Sequence, residues 1–150
     1  MRSPHATILR ASASSPTLCL YPRMEANKMS TALRLLVVED QPLLLLDLAG
    51  QLTACGHNVL TAGSARTAAR LIDADIDALI TDIELGDGPD GLALARLAAS
   101  ARPGLSIIVV SGGVRPVPAD LPPGAVFIPK PYSINAILSA LQQNSISHAA

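Results

Sequence analysis

The chain has 150 residues, of which 49% are hydrophobic and 15% charged, enough for one domain that buries its core without disulfides. Aromatic residues make up only 2% and Trp is absent, which argues against stacking platforms for single-stranded nucleic acid. The net charge of −1 conceals an excess of +3 in residues 1 to 32 (Arg2, Arg10, Arg23 and Lys28 against Glu25) and −4 beyond them; an acidic globular part excludes the clustered Lys and Arg that duplex DNA requires.

Residues 1 to 32 are rich in Ser, Pro, Ala and Arg and follow neither helical nor strand periodicity. They are expected to form a disordered or non-native extension, with translation starting at Met1, Met24 or Met29. Pro4, Pro16 and Pro22 interrupt any amphipathic transit helix, and no apolar run reaches the roughly 18 residues of a membrane span. Cys19 and Cys55 are too few for a disulfide framework, so a reducing, cytoplasmic setting is expected.

From residue 33 the pattern alternates between strand and helix. A first strand is predicted over residues 34 to 38 and a helix over 42 to 54, opened by Pro42 and stopped by Gly56. The run Leu43 to Leu46 is apolar on all sides, as expected of a helix packed closely against a sheet. A second strand follows over 58 to 62, and Ser64 caps a helix reaching about Asp73. The third strand spans 77 to 83, and a glycine-rich turn leads into a helix ending near Ala101. Strand four, residues 105 to 110, is an Ile/Val run of the kind buried on both faces. Residues 114 to 124 hold Pro116, Pro118, Pro122 and Pro123, which exclude a full helix. Strand five covers 125 to 128, with Pro129 marking a sheet edge. Ser133 caps a last helix carrying Ile134, Ile137, Leu138 and Leu141 at helical spacing. The folded domain is expected over residues 33 to 142, with 143 to 150 a flexible tail. The alternation predicts an α/β fold: a doubly wound, five-stranded parallel sheet covered by helices on both faces.

Three of these strands end on chemistry. The first runs into Glu39-Asp40, the third into Asp82 and the fifth into Lys130; the carboxyl ends of parallel strands share the sheet edge where open α/β folds bind ligands. Three carboxylates suit a hard cation such as Mg2+, and an ammonium is left for an anion beside it. Asp82 is a poor nucleophile toward a phosphoryl group unless a cation draws the two anions together. Lys130 can neutralise one phosphoryl oxygen, and Ser111, ending strand four, can hydrogen-bond another.

The ordered set Glu39-Asp40, Asp82, Ser111 and Lys130-Pro131 resembles the receiver domain of bacterial two-component response regulators, over about residues 34 to 142. The resemblance implies a flavodoxin-like sheet with strand order 2-1-3-4-5 and Mg2+ held by Glu39, Asp40, Asp82 and the backbone carbonyl of Glu84. It also implies phosphorylation of Asp82 by a histidine kinase or histidine phosphotransfer protein. Ser111 and Phe127 occupy the family's switch positions, and Pro131 follows Lys130 as a structural residue. The proline-rich stretch departs from the pattern: the helix expected between strands four and five is short or absent. With few residues after Gln142, the expected function is a stand-alone regulator that modifies only itself and signals to an unknown downstream protein, without binding nucleic acid or membrane. Whether phosphorylation drives homodimerisation is left open.

Taken singly, the same residues have plainer roles. Asp40 could cap the helix before Pro42, and Lys130 could be a solvated lysine. The run Gly86-Asp87-Gly88-Pro89-Asp90-Gly91 matches GxGxxG, yet its aspartates would repel a pyrophosphate and Pro89 lacks a donor. A calcium loop from Asp82 fails because Asp87 and Ala93 stand where glycine and glutamate are needed. His5, His57 and His148 have no zinc spacing. Two rival functions stay open: a receiver-fold interaction module independent of phosphorylation, and a Mg2+-dependent aspartyl phosphohydrolase with Glu84 as general acid.

Overall fold

The computed structural model describes residues 31–147 together with the pair Ile8–Leu9. In chain order the elements are β1 (Ile8–Leu9), β2 (Arg34–Val38), α1 (Pro42–Ala54), β3 (Asn58–Ala62), α2 (Ala65–Ala69), β4 (Ala78–Asp82), α3 (Gly91–Ala101), β5 (Ser106–Ser111), a 3-10 turn (Pro118–Asp120), β6 (Val126–Pro129) and α4 (Ile134–Ser147). The sheet order is β1-β3-β2-β4-β5-β6. Strands β2 to β6 are all parallel and lie in the expected 2-1-3-4-5 arrangement.

Side-chain alternation along each strand divides the interior into two layers. Leu35, Val37, Ile80, Ile108 and Val110 face α1 and α4, where Leu48, Leu52, Ile137 and Leu141 meet them. Leu36, Val38, Leu79, Ile107 and Val109 face α2 and α3, against Ile72, Leu94 and Ala98. Strands β2, β4 and β5 are therefore apolar on both faces, which accounts for their unbroken Leu/Ile/Val runs.

Four features differ from the sequence reading. Helix α2 ends at Ala69 rather than near Asp73; the chain continues through i to i−3 bonds, Leu71 N–H to the Ala68 carbonyl and Ala74 N–H to that of Leu71. This tighter path still buries Ile72 and Ile76. Helix α1 packs against the sheet through Leu48, Ala49 and Leu52, but the leucine run at its start is not covered throughout: Leu43 is 81% and Leu46 62% exposed. Helix α4 runs on to Ser147, into the expected tail, and Asn144 Nδ2 donates to Ser106 Oγ at 2.9 Å. Lastly, Ile8–Leu9 pairs antiparallel with β3, Ile8 opposite Leu60, so the extension contributes one short edge strand. The rest of the disorder expectation for residues 1 to 32 falls largely outside the described residues, as do Cys19 and the alternative starts.

Residues 114 to 124 contain no helix beyond the single 3-10 turn, in keeping with their four prolines. Among the described residues β6 pairs only with β5, so Pro129, which has no N–H, sits on a sheet edge as expected. The next N–H, that of Lys130, closes the ladder on the Ser111 carbonyl at 2.9 Å.

Candidate functional site

The register aligns the chemistry. Val38 lies opposite Thr81, Asp82 opposite Val110, and Ser111 opposite Pro129, so Glu39, Asp82, Ser111 and Lys130 emerge together at the carboxyl edge. Carboxylate oxygens of Glu39, Asp40 and Asp82 lie within 4.8 Å of one another. Glu39 and Asp82 are buried, while Asp40 is exposed at the mouth. Helix α1 is capped at Gln41 without any side-chain bond, so Asp40 is not spent on the helix start. Instead its Oδ2 faces Gly86, where a Cβ would stand 3.2 Å away on a backbone with φ of +64°.

Lys130 joins this group. Its Nζ donates to Asp82 Oδ2 at 2.6 Å and to Glu39 Oε2 at 2.8 Å. Burial by itself would lower the Lys130 pKa, but the bonds to Asp82 and Glu39 outweigh it and raise the ammonium above its ordinary value. Glu39 is pushed above the usual carboxylate range by burial, against the opposing pull of Lys130 and of the Gln41 N–H, which donates to Oε1 at 3.1 Å. The result is a charged cluster whose carboxylates outnumber its cations. Such a site attracts a further cation, and its all-oxygen donors on one open side fit Mg2+, which keeps several waters of its own.

The backbone around Asp82 is held closely. Gly91, first residue of α3, lies so near that a Cβ there would stand 1.7 Å from the Asp82 carbonyl oxygen. Its N–H donates to the Ile83 carbonyl at 2.9 Å, and Asp90 caps the helix through the Ala93 N–H. The glycine-rich run is thus a packing device for the Asp82 turn. Neither the glycine-rich turn nor the GxGxxG match reveals this role of Gly91; the available signal was a glycine opening a helix soon after a candidate nucleophile.

Ser111 is buried, and its hydroxyl bonds neither to the Lys130 ammonium nor to the Asp82 carboxylate. Its Oγ donates to Glu84 Oε2 at 3.3 Å and accepts from the Val114 N–H at 2.9 Å. Glu84 in turn donates its N–H to Asp82 Oδ1 at 3.1 Å. The Glu84 side chain, which the sequence suggested as a general acid only for a hydrolase, is engaged with Ser111. Phe127 is half-buried against the α2–α3 layer, and Pro131 is exposed after a cis peptide bond. Tyr132 is half-buried against the α1–α4 layer, and an open groove of about 410 Å³ runs past it between Leu44, Asp47, Lys130 and Pro131. Burial raises the Tyr132 phenol above its ordinary pKa, with Lys130 opposing.

The family pattern for the response regulator receiver domain matches residues 35–142, which takes in every one of these groups. The chain belongs to that family. Among solved structures, a response regulator receiver protein from Sinorhizobium medicae superposes with a TM-score of 0.71 at 30% identity, covering 76% of this chain and 94% of that one. A CheY-like receiver domain protein from Methanospirillum hungatei gives 0.71's near neighbour, 0.68, at 25% identity over 78% and 99% of the two chains. The phyllosphere-induced regulator PhyR of Methylorubrum extorquens is 28% identical over 72% of this chain and 43% of its own length. The transcriptional regulator NtrC of Azospirillum brasilense is 31% identical over 75% and 24%. The receiver therefore spans less than half of these curated relatives. Among the described residues, no helix is long and apolar enough to cross a membrane.

Proposed function

We propose that this receiver accepts a phosphoryl group on Asp82 from a phosphohistidine of a histidine kinase or phosphotransfer protein, and signals through protein contacts. In the transfer the donor's P–N bond breaks, an O–P bond to Asp82 forms, and the freed imidazole nitrogen takes up a proton. The observation that carries this reading is the Lys130 ammonium bridging Glu39 and Asp82 inside a three-carboxylate cluster at the strand ends.

Glu39, Asp40 and Asp82 would hold Mg2+ by carboxylate oxygens, with the Glu84 backbone carbonyl as a further ligand. Bound there, the ion would offset the repulsion between Asp82 and the incoming phosphoryl oxygens. Lys130 already donates to Asp82 and needs only a small shift to donate to a phosphoryl oxygen. Burial of Asp82 and Glu39 lowers the local dielectric and strengthens each of these attractions. Phe127, opposite Val109 on the strand next to the one that ends at Ser111, would report the switch through its packing.

Acetyl phosphate labelling followed by peptide mass spectrometry tests the reading. One phosphoryl group should appear on Asp82, only with Mg2+, and Asp82→Asn should remove it. Labelling that persists in Asp82→Asn, or that maps elsewhere, would overturn the assignment.

A further inference from the structure

Glu84 stands between Asp82 and Ser111 and binds both, one through its backbone and the other through its side chain. A serine hydroxyl has a single proton to donate. While the Glu84 carboxylate holds that proton, Ser111 has none for a group arriving on Asp82. Ser111 is only 2% exposed although Glu84 itself is exposed, so the hydroxyl, unlike the carboxylate, has little water to turn to. The carboxylate also has a seat: at Gly113 a Cβ would come within 2.6 Å of Glu84 Oε1. Ser111 is tied onward to the Val114 N–H, the first residue of the proline-rich loop that carries exposed Val114 and Val117.

A phosphoryl group on Asp82 would bring nearly two negative charges and several acceptor oxygens to within a few residues of this carboxylate. Its charge repels Glu84, and its oxygens compete for the Ser111 hydroxyl. We infer that Glu84 is a carboxylate latch: it holds Ser111 and, through Ser111, the start of the 114–124 loop in the resting protein, and is expelled when Asp82 carries a phosphoryl group. Glu84 is thus a positioning residue acting through Ser111, and the surface it controls is the loop. The latch rests on the reading of Asp82 as phosphoryl acceptor, but its resting half involves no metal and no phosphate.

The test uses the full chain and has two arms. In unphosphorylated, Mg2+-free protein, Glu84→Ala should shift the Val114 amide resonance and speed its hydrogen exchange. Glu84→Gln, which keeps an oxygen acceptor, should stay near wild type. Gly113→Ala, which places a methyl on the seat without removing the carboxylate, should move Val114 in the same direction as Glu84→Ala. In the second arm, beryllofluoride with Mg2+ should convert Glu84→Ala at a concentration about ten-fold lower than wild type. That advantage should vanish in a Ser111→Ala background, because the latch has nothing left to hold. Wild-type conversion combined with an unmoved Val114 and a midpoint within about two-fold in Glu84→Ala would overturn the latch alone. A wild-type protein that neither converts nor labels would overturn the phosphoacceptor reading together with it.

Discussion

The two sides of the crevice are built differently. Glu39 and Asp82 directly follow the fully buried strand residues Val38 and Thr81, Lys130 follows the edge strand β6, and two ion pairs lock the three together. Across from them, Ser111 ends its strand equally buried, yet the chain between it and β6 passes through three glycines and four prolines with one 3-10 turn. One side is positioned by the sheet, and the other by a few side-chain bonds to a loop. Stiffness should therefore concentrate where charge is gathered, and movement where Ser111 hands its contacts to Val114.

The largest effect should come from crowding the stiff side. Gly91→Ala drives a methyl into the Asp82 carbonyl, and backbone on both sides has no room to yield, so a loss of about 3 kcal/mol or more is expected. Urea denaturation measures it; a loss under about 1 kcal/mol would mean that the turn is as pliable as the loop. Next, Lys130→Ala leaves Glu39 and Asp82 buried without their cation. Since Lys130 is partly exposed, a destabilisation of about 2 kcal/mol is expected, below the full cost of breaking a buried pair. Added Mg2+ should restore more of the melting temperature in this variant than in wild type. The variant should still accept some label from acetyl phosphate, but with a diminished structural response in amide shifts.

A control lies at the opposite end of the sheet. His57 is buried, burial lowers its pKa, and its Nδ1 accepts the Leu33 N–H at 3.2 Å. A depressed folded pKa means that the neutral ring is the folded form. Its contribution is then complete above the unfolded value of about 6.5 and is lost as pH falls through the folded value. Wild type should therefore lose about 1 kcal/mol more than His57→Gln on acidification below pH 6, measured by denaturant midpoints; parallel losses would remove His57 from the account. The smallest effect belongs to the loop. Asp120 Oδ2 accepts the Val117 N–H in an exposed turn, so Asp120→Ala should cost about 0.5 kcal/mol or less. Amides 117 to 121 should exchange faster than any in β4 or β5. Slow exchange there would erase the distinction between the two sides.

Strand and helix positions were legible because burial on both faces forces unbroken apolar runs, and because Pro, Gly and Ser mark the ends. Arg34–Val38, Pro42–Ala54 and Asn58–Ala62 match their expected bounds. The end of α2 was not legible, since Ile72 and Ile76 suit a continued helix as well as a tightened turn. The α1 leucines misled for a related reason: composition states that a side chain is apolar, and only its neighbours state whether it is covered.

At the site, residue types and strand ends were enough to gather Glu39, Asp40, Asp82 and Lys130, because parallel strands of similar length must deliver their carboxyl ends to one edge. The bond from Ser111 to Glu84, the seat at Gly113 and the contact of Gly91 with the Asp82 carbonyl were decided by tertiary structure alone. Each is an approach of a few ångströms between segments joined by loops, and loop conformation depends on packing that no local periodicity encodes.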